Sequence, residues 1–107
     1  MKKASEISKK VLFKMTKGQD RKPLSSLKGE QFEPEAYCLY SYTNSDGEVV
    51  DGLSLLINGE VYITSSEPVI NSFNAILDTF EGEDVTLTLV SKTSKSGREY
   101  NVLDVVI

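Results

Sequence analysis

The sequence predicts an all-β domain with one helix: a small barrel of five short strands, ordered as three strands, a helix, then two strands. Three observations carry this. After Gly29, short runs rich in β-branched and aromatic residues recur, each bounded by a turn signal such as Asn44-Ser45-Asp46-Gly47, Asn58-Gly59 or Ser96-Gly97. One segment, residues 66–80, switches to a helical period. Glycine stands inside a strand-like run at position 52, where a sheet must bend.

The length of 107 residues suits one domain whose single core closes without disulfides or metal. Residues 1–30 read as a basic N-terminal leader and residues 31–107 as the barrel domain. In the leader, Ile7, Val11, Leu12 and Met15 recur as one helical face would, whereas Val11, Phe13 and Met15 alternate as a strand would, so periodicity leaves both open. Gly18 and Arg21-Lys22-Pro23 then interrupt any regular element.

Residues 36–43 (AYCLYSYT) form the first strand and residues 48–57 (EVVDGLSLLI) its return, with Gly52 marking a bulge or bend. Residues 60–65 (EVYITS) are the third strand. Ser66 caps a helix with Glu67 and Pro68 in its first turn, both favourable there. Val69, Phe73, Ile76 and Phe80, with Ile70 and Leu77 alongside, make its apolar stripe, and Gly82 ends it. Residues 84–91 (DVTLTLVS) alternate Val85, Leu87 and Leu89 inward, and residues 99–106 (EYNVLDVV) supply the last strand. This order is that of the OB barrel, in which a helix between the third and fourth strands plugs one end. A small open α+β sheet with the helix across one face is the alternative.

Composition narrows function. The chain has no histidine, which removes the commonest general base and the commonest zinc or copper ligand. No Gly-rich phosphate fingerprint occurs either. The expectation is a non-enzymatic protein with no cofactor and no metal. Cys38 stands alone, so no internal disulfide forms and a reducing compartment fits. The basic start, Met1 to Lys10, contains no apolar block of the signal-peptide or membrane-anchor kind, which predicts a cytoplasmic protein with no membrane attachment.

The net charge of −4 hides a segregation along the chain. Residues 1–28 carry nine basic residues against two acidic ones, and the remaining 79 carry three against fourteen. Those last three, Lys92, Lys95 and Arg98, cluster in SKTSKSGREY. Such concentration attracts phosphates even on an acidic molecule. In an OB architecture an oligonucleotide lies across the second and third strands, beside the loop joining strands four and five, where this cluster falls. Stacking platforms for bases are the second requirement, and five tyrosines are available. If Val61 and Ile63 face the core, Tyr62 faces outward. Tyr40 and Tyr42 share a face of the first strand, Tyr100 begins the last one, and Arg21 and Lys22 would clamp the backbone if the leader folds back.

The segments GEVYITSSEPVINSF and SKSGREY carry a likeness: residues 59–107 resemble the small OB-type single-stranded DNA-binding proteins of bacteriophages and mobile elements. The resemblance implies protection of single-stranded DNA replication intermediates without strong sequence preference, with Lys95, Arg98 and Tyr100 as the positions carried over. The C-terminal Asp104-Val105-Val106-Ile107 departs from the acidic tail many cellular members use to recruit replication proteins. The expected partner is therefore single-stranded DNA, with RNA also compatible. The alternative is an acidic protein-interaction or inhibitor module that targets a nucleic-acid enzyme, and an exposed edge strand would allow a homo-oligomer.

Overall fold

The computed structural model describes residues 1–107 and places them in two sheets and two α-helices. The strands are β1 (Lys22–Pro23), β2 (Gln31–Phe32), β3 (Ala36–Thr43), β4 (Val49–Ile57), β5 (Glu60–Thr64), β6 (Leu87–Thr93) and β7 (Glu99–Val105). The helices are α1 (Lys9–Lys17) and α2 (Glu67–Phe80). One sheet runs β1-β5-β4-β3 and the other β2-β6-β7.

The five expected strands and the expected helix all form, but the barrel does not close. No ladder joins the two sheets, and the chain is a β-rich two-sheet fold of the open α+β kind. The edges explain this. On β7 the Leu103 N–H donates to Ser72 Oγ of α2, so the helix occupies the edge that a closing strand would need. The outer sides of β5 and β6 are taken by the short strands β1 and β2, and at the start of β3 Lys2 N–H donates to Glu35 O and Tyr37 N–H to Lys2 O.

The main core lies between the sheets. Leu53, Leu55 and Ile57 alternate on one face of β4, Leu87 and Leu89 do the same on β6, and α2 inserts Val69, Phe73 and Ile76. Tyr37 meets Phe73 edge-on, with ring centroids 5.3 Å apart. A smaller cluster, Met15, Ala36, Cys38 and Val61, sits on the opposite face of the first sheet beneath α1. Covering both faces explains why residues 53–57 (LSLLI) read as a nearly continuous apolar run. Ser54 is wholly buried in that run and its Oγ has no partner.

Within residues 1–30 the helical reading prevails. Ser8 caps α1 by accepting the Val11 N–H, and Met15 is fully buried while Phe13 remains 62% exposed. Lys14 Nζ donates to Gly59 O and ties α1 to the β4–β5 turn. Gly18 ends the helix where a Cβ would lie 2.5 Å from Lys14 O, so the close approach requires glycine.

The two long hairpins follow one plan. Asn44 N–H donates to Glu48 O and Gly47 N–H to Asn44 O; Ser94 N–H donates to Arg98 O and Gly97 N–H to Ser94 O. Ser41 donates across its ladder to Asp51, as Ser91 does to Asn101. Their charges are opposite. The β3–β4 hairpin carries Asp46, Glu48 and Asp51 and no cation, whereas the β6–β7 hairpin carries Lys92, Lys95 and Arg98 with Glu99 beside them.

Candidate functional site

The α1 side of the first sheet holds an open groove of about 760 Å³. Its walls are Thr16 and Lys17 from the end of α1, Arg21 and Pro23 from the following segment, and Tyr40, Ser41, Tyr42, Ile63, Thr64 and Ser65 from β3, β5 and the residue after it. No carboxylate is among them.

Local rules assemble it. Strand alternation puts Tyr40 and Tyr42 on the same face as Ala36 and Cys38, beyond the stretch that α1 covers. Chain reversal at Gly18 lets Arg21 fold back: its Nε donates to Gly18 O (2.8 Å) and its Nη1 to Thr16 O (2.9 Å). Those bonds satisfy carbonyls that the end of a helix leaves free, and they favour a cation there. Nη1 also donates to the Tyr40 hydroxyl at 3.3 Å. Pro23 aligns with Ile63 in the short parallel β1–β5 ladder and closes the far wall.

Tyr40 stands directly across the ladder from Gly52 and leans over it, so that a Cβ there would come 2.7 Å from Tyr40 Cζ. Burial pushes the Tyr40 phenol up from its ordinary value, while the Arg21 charge works in the opposite direction. Tyr42 lies beside it, centroids 6.0 Å apart at 35°, and is 42% exposed. One ring is therefore held in place and its neighbour presents a free face.

Of the residues singled out from sequence, Arg21, Tyr40 and Tyr42 meet in this groove. Lys22 does not line it: its Nζ pairs with Glu60 at 2.9 Å. Tyr62, expected to face outward, is instead 9% exposed and packs in the main core, its hydroxyl donating to Glu60. The premise fails because the first sheet is covered on both faces: Val61 points toward α1 and Tyr62 toward α2 and the second sheet. Lys92, Lys95, Arg98 and Tyr100 gather on the β6–β7 hairpin of the second sheet, with Lys92 opposite Tyr100, and none lines the groove. Sequence reading missed Lys17, Thr16, Thr64 and Ser65. For Lys17 the available signal was its place four residues before Arg21, ahead of a helix-ending glycine.

Comparison with family models, curated proteins and solved structures finds no match for this chain. What the groove can hold follows from its own side chains. Lys17 and Arg21 are cations for a phosphate, the exposed Tyr42 ring is a platform for a flat heterocycle, and the hydroxyls of Thr16, Ser41, Thr64 and Ser65 suit a sugar. No His, Cys, Asp and Glu cluster of metal-binding size occurs, and no helix is long and apolar enough to cross a membrane.

Proposed function

We propose that this protein is a non-catalytic, largely sequence-independent binder of single-stranded DNA that holds a short stretch of strand in the Tyr40–Tyr42 groove. The carrying observation is the coincidence, in one groove free of carboxylates, of two neighbouring tyrosine rings with Lys17 and Arg21. A base stacks on Tyr42, and the adjoining phosphate meets Arg21, whose Nη2 has no partner in the chain. The groove volume lies within the range of about 300–1,000 Å³ typical of small-ligand sites, room for one or two nucleotides of a strand that continues past it. Lys92, Lys95 and Arg98, all exposed, form a second region for phosphates farther along the strand. The strand and helix order of an OB domain, here spread over two sheets, supports the same reading. So does the likeness of residues 59–107 to phage-type single-strand binders, which suggests a cytoplasmic role in DNA replication.

The test is fluorescence anisotropy with a labelled mixed-sequence oligonucleotide, run against duplex DNA and RNA across a salt series. Single strands are expected to bind best, with affinity falling steeply as salt rises. Lys95→Glu with Arg98→Glu should lower both affinity and the salt slope, and Tyr42→Ala should lower affinity at unchanged slope. Equal binding of duplex and single strands, or none at low salt, refutes the proposal.

One observation favours a second reading. The β3–β4 hairpin exposes Asp46, Glu48 and Asp51 with no cation among them, a surface suited to a nucleic-acid enzyme that normally grips phosphates. A partner that survives nuclease treatment in a pull-down, and is lost on Asp46→Lys with Glu48→Lys, would establish it.

A further inference from the structure

We propose that β3 is a pairing edge for a second copy of this chain, and that the antiparallel pair so formed joins two grooves into one row of four tyrosines. The functional consequence rests on the single-strand reading of the groove; the pairing itself does not.

β3 ends its sheet, and only its first residues are covered, by Lys2. Because the Tyr37 N–H points away from β4 to reach Lys2 O, strand alternation turns the N–H and C=O groups of Leu39, Ser41 and Thr43 the same way. These groups have no partner strand. The length left open, from Cys38 to Thr43, is that of an ordinary strand.

Edges of monomeric proteins are commonly blunted by charge, proline, a bulge or a covering element. The molecule does this at β7, where Ser72 takes the Leu103 N–H and where Glu99 and Asp104 supply charge. Beyond the residues that Lys2 covers, β3 has none of these protections. Residues 37–43 (YCLYSYT) contain no charge, no proline and no glycine, and Leu39 (41%) and Tyr42 (42%) are exposed large side chains on this strand.

Geometry and charge select a copy of the same chain as the occupant. A two-fold axis at Ser41 pairs Ser41 with its own counterpart and Leu39 with Thr43 of the second copy, using all the open groups. Tyr40 then faces Tyr42 of the second copy at a non-hydrogen-bonded position, where opposed side chains come closest. The ladder stops where each β3 turns into its hairpin, and there the second copy's edge is already filled by Lys2. That brings the Asp46 and Glu48 tip toward the exposed Lys2 and Lys3 of the second copy, opposite charges on both sides of the axis. The grooves, whose walls include Tyr40, Ser41 and Tyr42, meet across the joint.

Sedimentation equilibrium of the nucleic-acid-free protein tests the pairing. A reversible dimer is expected, weakened by salt. Leu39→Lys puts a charge at an exposed position of the interface, and Ser41→Pro removes an N–H that β4 does not use; each should give a monomer with unchanged circular dichroism. Asp46→Lys should weaken the dimer, and Asp46→Lys with Lys2→Glu should restore it. A wild-type protein that stays monomeric at all concentrations overturns the proposal, as does a dimer unaffected by Leu39→Lys and by the charge variants, whatever the fold of the proline variant. A dimer that fails to bind oligonucleotides would refute the single-strand reading alone.

Discussion

The ring of Tyr40 fills the space above Gly52, its partner across the β3–β4 ladder, and the hydroxyl at the end of that ring accepts a hydrogen bond from Arg21. The missing side chain at position 52 is thus what lets the ring lie down, and the lowered ring is what gives Arg21 a third hydrogen-bond partner, beside Gly18 O and Thr16 O. Gly52→Ala should force Tyr40 up into the groove at a cost of roughly 1–3 kcal/mol, the range for overpacking. Chemical denaturation should show that loss, and oligonucleotide affinity should fall with it.

Tyr42 separates stability from binding. Its ring is 42% exposed and meets Tyr40, so Tyr42→Ala should cost no more than about 1 kcal/mol of stability. Loss of a stacked base should nonetheless cost roughly 1–3 kcal/mol of binding free energy. Parallel denaturation and anisotropy titrations check both halves.

Met15 tests whether the first thirty residues belong to the folded unit. It is fully buried among Ala36, Cys38 and Val61, so Met15→Ala should cost about 2–5 kcal/mol. Phe13→Ala, on the exposed face of the same helix, should stay within about 0.5 kcal/mol and serve as the control. Equal losses would place the α1 contact elsewhere.

Ser54 offers the opposite sign. Its buried Oγ has no hydrogen-bond partner, so Ser54→Ala removes an unpaired polar atom and should leave the protein equally stable or more stable in urea.

Acid and base act on the Lys22–Glu60–Tyr62 chain from opposite ends. Hydrogen bonds from Lys22, then Tyr62, hold the Glu60 carboxyl below its ordinary range. Its contribution is present above the ordinary glutamate value and disappears as pH falls through the depressed one. The bond to Glu60 raises the Lys22 ammonium, whose contribution is full below the ordinary lysine value and is lost as pH rises through the raised one. Both groups are exposed, so the effect is small. Thermal melts of wild type and Glu60→Gln should differ at neutral pH and converge in acid.

The sequence alone determined where the chain turns and which period each segment follows. Asn44 to Gly47, Asn58-Gly59 and Ser96-Gly97 set the hairpins, since a left-handed residue such as Gly59 (φ 77°) or Gly97 (φ 83°) is decided within a few neighbours. The stripe from Val69 to Phe80 likewise marked α2. Only tertiary packing decided that Tyr62 is interior, because in EVYIT the Glu60, Tyr62 and Thr64 face reads as the polar one beside Val61 and Ile63, and nothing local says that it too is covered. The open barrel has the same cause: β1, β2 and Ser72 reach the outer sides of β5, β6 and β7 from distant parts of the chain. Tyr40 and Tyr42 were already legible as one face of one strand. That Arg21 and Lys17 join them, while Lys92, Lys95 and Arg98 sit on the other sheet, follows from how two sheets and a helix divide the space between them, which no short stretch of sequence encodes.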